Sequence, residues 1–512
     1  MNKKFYITAA IPYVNAAPHV GHALEFVQTD TIARYHKLLG ENVATLSGGD
    51  ENALKNVQAA ENAGLPVQEF VDKNTESFRQ LAIKLDAEFT FWQKGSDKVH
   101  HFPSSQKLWE LCNKSGDIYK KRYEGLYCVG CEQFYTPQEL NKNGECFEHL
   151  GKPLQKVSEE NYFFKLSKYQ DFLIDLISKD KLKIYPEHRK NEVLSFLKDG
   201  LNDISISRSN ERAKNWGVPV PGDPTQREYV WLDALQIYET GVGFGWDEKL
   251  YKKWWPADLH VIGKGIIRFH AVYWPAFLHS AGLETPKAIF VHDYFTVNGQ
   301  KMSKTIGNVI DPIEMINKYG VDALRYFLLA KFSPFSDGDF SEEKLKDIYN
   351  SDLANGLGNL VSRVCALANG KVPEINSDPD SHPLRTDESI HNWKKVWKDI
   401  DAFVPQFQFD KALSSVWEFI KEADKYINTN EPWKLATTDK EKFNWVIYGV
   451  LDSIHQIAWQ IYPFLPETSI KIAKVLNIEK LLVKNPLNKD SWTNIKPGTK
   501  INLTEPLFPR LK

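Results

Sequence analysis

Ala10-Ile-Pro-Tyr-Val-Asn-Ala-Ala-Pro-His-Val-Gly-His22 joins an apolar run, Phe5 to Ala10, to an amphipathic segment that reaches Leu39. The run predicts a buried strand and the segment a helix that stops at Gly40. A second strand, Asn42 to Leu46, leads into Ser47-Gly-Gly-Asp-Glu51. Strand, helix and strand in this length make a βαβ unit, so the sheet is expected to be parallel, with its ligand at the carboxyl ends of the strands. His19 and His22 flank Gly21 at the helix start. Unpaired backbone N–H groups, the positive end of a helix and two imidazoles suit a nucleotide phosphate, and Gly21 has no Cβ to hold a planar ring away. Read alone, the spacing also describes a metal pair or a helix start whose histidines bond their neighbours. The sequence has neither G-x-x-x-x-G-K-[ST] nor G-x-G-x-x-G, which excludes a P-loop or a dinucleotide fingerprint.

The α/β pattern resumes near Arg227. Tyr229-Val-Trp-Leu-Asp-Ala-Leu-Gln-Ile-Tyr238 precedes a strand, Leu259 to Ile262, a Gly-Lys-Gly turn at 263–265 and a helix, Ile266 to His279. A further strand, Ala288 to Val297, leads to Lys301-Met-Ser-Lys-Thr-Ile-Gly307. Two lysines on a Ser/Gly loop are flexible point charges suited to phosphates that gain charge during reaction; a solvated turn is the plain alternative. Between the two halves, Cys128-Val-Gly-Cys131 and Cys146-Phe-Glu-His149 give C-x2-C, fourteen residues, then C-x2-H. Cys128, Cys131, Cys146 and His149 would fill a tetrahedral zinc shell, a structural site with no vacant position for substrate. Cys112 and Cys365 stand apart from this pattern and read as buried apolar fillers.

After Asp311-Pro312 the chain reads as helical, with breaks at Gly320, Asn369 to Pro383, Pro405 and Pro432. Asn359 and Arg363 share one helix face, and Asn430-Glu-Pro-Trp433 puts a tryptophan in the first turn of another helix. Such a tryptophan is either core or a stacking platform for an unpaired base. Ile495 to Lys512 carries three prolines and reads as a tail laid across another domain.

The 512 residues allow three or four domains, and 25% charged with 42% hydrophobic residues is ordinary globular composition. A net charge of −2 requires that any attraction for nucleic acid come from a local basic face. Five cysteines are too few for a disulfide scaffold and point to a reducing compartment, the cytoplasm. Pro12 and Asn15 interrupt the first apolar run, so no signal peptide is expected, and no run approaches the ~18 apolar residues of a membrane span.

His19-Val-Gly-His22 and Lys301-Met-Ser-Lys-Thr305, one in each half of a split parallel sheet, resemble the HIGH and KMSKS signatures of class I aminoacyl-tRNA synthetases. Over most of its length the chain resembles the methionyl-tRNA synthetase family. The matches are Ala10 to Asn15, Gly48 to Glu51, the cysteine knuckle, Tyr229 to Ala234, Arg268 to Pro275, Thr296 to Lys304, Asn359 to Arg363 and Asn430 to Trp433.

The resemblance implies a Rossmann-type catalytic domain split by a zinc-knuckle insertion and followed by an all-α anticodon-binding bundle. The boundaries expected are 1–115 and 227–310 for the catalytic halves, 116–226 for the insertion and 311–350 for a stem-contact linker. The helical domain is expected over 351–470 and a C-terminal tail over 471–512. It implies ATP-dependent activation of L-methionine to methionyl-adenylate and transfer to initiator and elongator tRNA(Met) by a monomer. ATP with Mg2+ would be held by His19, Gly21, His22, Lys301, Ser303 and Lys304; of these, His19, His22, Lys301 and Lys304 would be catalytic. Methionine would lie among Ile11, Tyr13, Trp231, Ala234, Leu235, Tyr238, Ile266, Phe269, His270 and Trp274, with Asp50 on its amino group. Asn359, Arg363 and Trp433 would read the anticodon. The chain departs from the family pattern at four places: Gly265 stands for aspartate, Leu235 for proline, Gly49 for threonine and Asp293 for glycine. Two other readings compete, a non-catalytic RNA-binding paralogue and a class I enzyme for another apolar amino acid.

Overall fold

The computed structural model describes residues 3–128, 133–135, 140–146, 151–302, 307–375, 393–478, 495–502 and 505–511, with the backbone alone at 133, 134 and 301. The expected site residues Cys131, His149, Ser303 and Lys304 lie outside the described residues, as does the Lys301 side chain.

Six parallel strands form the central sheet: β1 (Lys4–Ala9), β2 (Asn42–Gly49), β3 (Phe91–Lys94), β4 (Lys183–Tyr185), β5 (Leu259–Gly263) and β6 (Ala288–His292). Their order is β3-β2-β1-β5-β6-β4. β1 is almost wholly buried because both faces are covered, as its unbroken apolar run requires. Phe5, Ile7 and Ala9 face one core and Tyr6 and Ala10 the other, the two-residue period of a strand. The chain leaves β1 toward β2 on one side, and β5 docks on the other side after the long excursion through residues 95–258. This is the switch point of the sheet, and a crevice opens there at the carboxyl ends of β1, β2, β5 and β6.

Three elements differ from the sequence reading. The segment read as an insertion contributes β4, which pairs with β6 through Ile184 and Ile289 at the sheet edge. The same segment also builds a four-stranded antiparallel sheet from Ile118–Cys128, Gln133–Tyr135, Gln155–Phe164 and Ile204–Ser205, and contributes to a three-stranded one from Ser207–Ser209, Pro219–Val220 and Asp223–Glu228. The expected helix over 266–279 is a 3-10 turn (Lys264–Ile266), a π-helical segment (Phe269–Tyr273) and then an α-helix (Trp274–Ser280). Pro275 supplies no N–H to the Ala271 carbonyl one turn back, and the wider π turn absorbs the mismatch. The expected strand from 288 to 297 breaks after His292. Phe295–Val297 instead pairs with Gly338–Phe340 and with Gln300–Lys301 in a separate small sheet.

Beyond residue 311 the described chain is mainly helical. The core against one sheet face runs on without interruption through Val321–Ala330 into the long helices Phe409–Asn430 and Lys440–Ile461. Arg325, fully buried, pins this junction. It donates to Asp30 Oδ2 (2.7 Å), to Leu85 O (3.0 Å), and to Phe464 O (2.7 Å) and Pro463 O (3.2 Å) of the helical bundle. The tail folds back on that bundle: Tyr448 Oη donates to Ile495 O at 2.9 Å, Tyr349 Oη donates to Pro509 O at 2.8 Å, and Leu507 and Phe508 are buried. No helix among the described residues is long and apolar enough to cross a membrane.

Candidate active site

His19 caps the first helix (Val20–Leu38). Its Nδ1 accepts from Gly21 N at 3.1 Å, and His22 Nδ1 accepts from His19 N at 3.1 Å. Each neutral ring therefore keeps its proton on Nε2, a donor at the helix N-terminus. Burial, then the neighbouring His19 and His292 rings, hold His22 well below the ordinary histidine pKa, so it is neutral at pH 7. The two rings pack at 3.9 Å, and Phe78 meets His22 edge-on at 4.8 Å. A Cβ on Gly21 would sit 2.9 Å from His19 Cε1, so only glycine allows that ring to fold back over the turn. The same Cβ position lies 3.7 Å from Met302 Cε, and Val20 N donates to Ile310 O at 3.1 Å. The histidine turn thus lies directly against Met302 and Ile310, which flank residues 303–306 in the sequence.

Glu25 closes the crevice floor by accepting from Ala10 N (2.8 Å) at the end of β1 and pairing with His292 (3.0 Å) at the end of β6. Beside it, Trp231 stacks on Phe269 with 3.6 Å between ring centroids and takes Tyr13 edge-on at 6.0 Å. Tyr238 Oη lies 2.8 Å from His270 Nε2, and His270 Nδ1 lies 3.0 Å from Ile266 O. The carbonyl accepts only, so Nδ1 carries the proton and Nε2 accepts from the tyrosine. Burial pushes His270 down to about 4, which keeps it neutral. Ala234 and Leu235 lie on the same buried helix (Val230–Thr240), and Trp274 is fully buried one turn beyond His270, edge-on to Trp255. Asp50 is buried and bridged to Tyr13, with Asp50 N donating to Pro12 O at 2.9 Å. The pocket is thus aromatic and apolar, with a carboxylate at its rim and a Tyr–His pair in its wall.

Residues 5–365 match the model of the family described as tRNA synthetases class I (M), and residues 385–512 match the anticodon binding domain of methionyl tRNA ligase. The chain belongs to the methionyl-tRNA synthetase family. It is 39% identical to the methionine–tRNA ligase of Thermotoga maritima, covering 99% of this chain and 80% of that one. It is 38% identical to the enzyme of Brucella suis, covering 99% and 98%. The Mycobacterium tuberculosis methionyl-tRNA synthetase in complex with methionyl-adenylate superposes with a TM-score of 0.91 at 37% identity, covering 99% of this chain and 100% of that one.

Within this synthetase fold the departures noted in the sequence have local causes. A Cβ on Gly49 would sit 2.6 Å from Thr75 Oγ1, so Thr75 fills the space a side chain at 49 would take. Gly265 N donates to Tyr294 Oη at 2.7 Å, and Asp293 is buried against Arg189 (2.6 Å) and Lys264 (3.2 Å). Ion pairing of its carboxylate to these two cations accompanies the break in the strand.

Sequence reasoning missed the buried polar frame behind the pocket. His101 Nε2 meets Asp233 Oδ1 at 2.5 Å, and Asn52 Nδ2 donates to Asp233 Oδ2 and to Gly95 O, both at 2.8 Å. Glu51 accepts from Thr75, Ser96 N and Ser96 Oγ. Asp233 inside the apolar run from Val230 to Leu235 was a signal available in the sequence.

On the helical domain, Arg363 donates to Asn428 Oδ1 at 2.7 Å and lies 5.1 Å from the Trp433 ring, which is 45% exposed. Asn359 is exposed one turn before Arg363. Of the expected zinc ligands, Cys128 and Cys146 are both buried, and Cys146 Sγ lies 3.5 Å from Tyr135 Oη. Among the described residues no group of three His, Cys, Asp or Glu forms a metal site; two of the four expected ligands lie outside them.

Proposed function

We propose that this chain is a methionine–tRNA ligase in which the crevice at the switch point activates methionine and the helical domain selects the tRNA. The observation that carries the reading is the direct contact of the histidine turn with Met302 and Ile310, which flank residues 303–306 in the sequence, beside a closed aromatic pocket. The methionine carboxylate attacks the α-phosphorus of ATP and pyrophosphate leaves. The terminal ribose hydroxyl of tRNA then attacks the acyl carbon and AMP leaves. A carboxylate is already ionised at pH 7, so the first step needs no general base. It needs position and complementary charge. His19 and His22 offer neutral Nε2–H donors at a helix N-terminus, and Lys301 and Lys304, with Mg2+ carried on the nucleotide, meet the charge that develops on the departing phosphates. Gly21 and Ser303 complete the phosphate contacts.

The methionine thioether lies among Ile11, Tyr13, Trp231, Ala234, Leu235, Tyr238, Ile266, Phe269, His270 and Trp274. Asp50 pairs its ammonium. An unbranched thioether is read by shape and aromatic contact, because discrimination per methylene is only ~1–3 kcal/mol. Exposed Trp433 beside Arg363 suits stacking and hydrogen bonding to an unpaired anticodon base, with Asn359 on the same face. Initiator and elongator tRNA(Met) are both substrates in this reading, and the enzyme acts as a cytoplasmic monomer. One zinc ion is held by Cys128, Cys131, Cys146 and His149. Burial of two thiols at the end of an antiparallel sheet fits a structural ion that staples the knuckle and takes no part in the reaction. The domain limits are 1–115, 116–226, 227–310, 311–350, 351–470 and 471–512.

The test is methionine-dependent exchange of labelled pyrophosphate into ATP. Methionine alone among the apolar amino acids supports the exchange. Tight tRNA binding with no exchange would establish the non-catalytic paralogue, and exchange driven by another amino acid would reassign the substrate.

A further inference from the structure

The helix Val230–Thr240 is buried at every residue, yet its two faces differ in kind. Trp231, Ala234, Leu235 and Tyr238 share the face toward the methionine pocket. Asp233, Gln236 and Thr240 recur at helical spacing on the opposite face, and all three are hydrogen-bonded to the helix His101–Lys114. His101 Nε2 meets Asp233 Oδ1 at 2.5 Å and His101 Nδ1 lies 3.0 Å from Thr240 Oγ1, so one ring clamps about two turns of the pocket helix. Gln236 Nε2 donates to Ser104 Oγ at 3.0 Å, and Thr240 Oγ1 donates to the same oxygen at 2.7 Å. An apolar back face would also pack, but it would tolerate small slides. Buried hydrogen bonds accept a narrow geometry, because a slide leaves their atoms unpaired.

The remaining oxygen of Asp233 reaches the loop that follows β2. Asn52 Nδ2 donates to Asp233 Oδ2 and to Gly95 O, both at 2.8 Å. A carboxylate and a carbonyl only accept, so the NH2 side of the amide faces them and both its protons are used. Asn52 and Asp233 are buried, and a donor to a carboxylate makes one of the stronger hydrogen bonds in a protein. The loop is also fixed to its own half of the sheet. Asp50 N donates to Pro12 O at 2.9 Å, Asn56 Nδ2 to Asp50 O at 2.8 Å, and Ser96 N to Glu51 Oε2 at 2.9 Å. The bond from Asn52 to Asp233 therefore spans 181 residues of sequence and joins the loop that carries Asp50 to the helix that carries Trp231 and Tyr238.

We propose that the Asn52–Asp233 hydrogen bond sets the distance between the ammonium contact and the thioether pocket, so that the site counts the methylenes between Cα and sulfur. The proposal rests on the ligase reading. Asn52 and Asp233 are positioning residues: they hold the loop and the helix, and the substrate meets Asp50 and the aromatic wall. A gap free to open would take a longer chain at little cost. A fixed gap forces an extra methylene to displace either the sulfur from its pocket or the ammonium from its carboxylate.

The experiment measures kcat/KM for pyrophosphate exchange with L-methionine and with L-homomethionine, which has one more methylene between Cα and sulfur. The wild type prefers methionine about tenfold or more, the range that one methylene supports. Asn52→Ala removes the link, and its preference narrows about fivefold, chiefly through the ratio of the two KM values. Asp233→Asn keeps an oxygen for Asn52 Nδ2 and turns its own amide toward His101, whose Nε2 accepts in the other tautomer; its preference stays within about twofold of wild type. Urea unfolding checks that each variant is folded. Where Asn52→Ala is not, Asn52→Ser, with its donor one bond nearer the backbone, carries the same comparison. The proposal falls if the variant at 52 slows both substrates alike and keeps the wild-type preference, if Asp233→Asn loses as much preference as that variant, or if the wild type uses both substrates equally. Absence of methionine-dependent exchange in the wild type would instead overturn the ligase reading, so the two failures are distinguishable.

Discussion

Replacing Arg325 with leucine removes a side chain that bonds the sheet domain, the linking helices and the helical bundle together. The guanidinium makes four hydrogen bonds in a fully buried position, at 2.7 Å to Asp30, 3.0 Å to Leu85 O, 2.7 Å to Phe464 O and 3.2 Å to Pro463 O. Asp30 keeps Arg34, paired at 2.7 Å, so the carboxylate is not stranded. The three carbonyls lose a donor in a place water does not reach. Each orphaned carbonyl costs ~1–3 kcal/mol, partly offset by the apolar volume of leucine. A net loss of about 4 kcal/mol is expected. Urea unfolding at pH 7, followed by tryptophan fluorescence, measures it. Because the lost bonds span the domain junction, aminoacylation falls more than methionine-dependent exchange. A loss under about 1 kcal/mol, or equal losses of the two activities, would refute the assignment of Arg325 as the junction's tie.

Gly21→Ala drives a Cβ to 2.9 Å from His19 Cε1 and displaces that ring; kcat for pyrophosphate exchange is expected to fall about 100-fold with little change in methionine KM. Tyr238→Phe leaves His270 Nε2 without its donor, and its main effect is expected on methionine KM, about tenfold. His270 titrates at about 4 in the fold against about 6.5 when unfolded, so between these values the unfolded state binds more protons. Its contribution to stability is complete above pH 6.5 and is lost as pH falls toward 4. With His22 also held low by burial, neither His22 nor His270 gives exchange an inflection near pH 6.5. Cys128→Ala or Cys146→Ala lowers zinc content and activity together, measured by atomic absorption and exchange; full activity in metal-free protein would exclude a required zinc.

Local pattern was enough for much of this molecule. The apolar run at Phe5 to Ala10, the helix cap at His19 and the strand at Leu259 are short-range features, and backbone sterics and periodicity determine them whatever lies elsewhere. The aromatic residues of the expected methionine pocket were named by resemblance to the family, and the structure brings Tyr13, Trp231 and Phe269 together.

What the sequence alone left open depends on contacts between residues far apart. No local signal told that Lys183 to Tyr185 would join the sheet, because three residues carry too little periodicity; their pairing with β6 decides it. The expected helix after Gly265 became a π turn because of one proline and the packing of Phe269 on Trp231. Trp433 was core or platform until the bundle left it exposed beside Arg363. Arg325 and Asn52 look like ordinary surface residues in the chain. Only tertiary burial turned one into a tie between domains and the other into a fixed link between the Asp50 loop and the helix Val230–Thr240, because the cost of desolvating a polar atom depends on what the fold places around it.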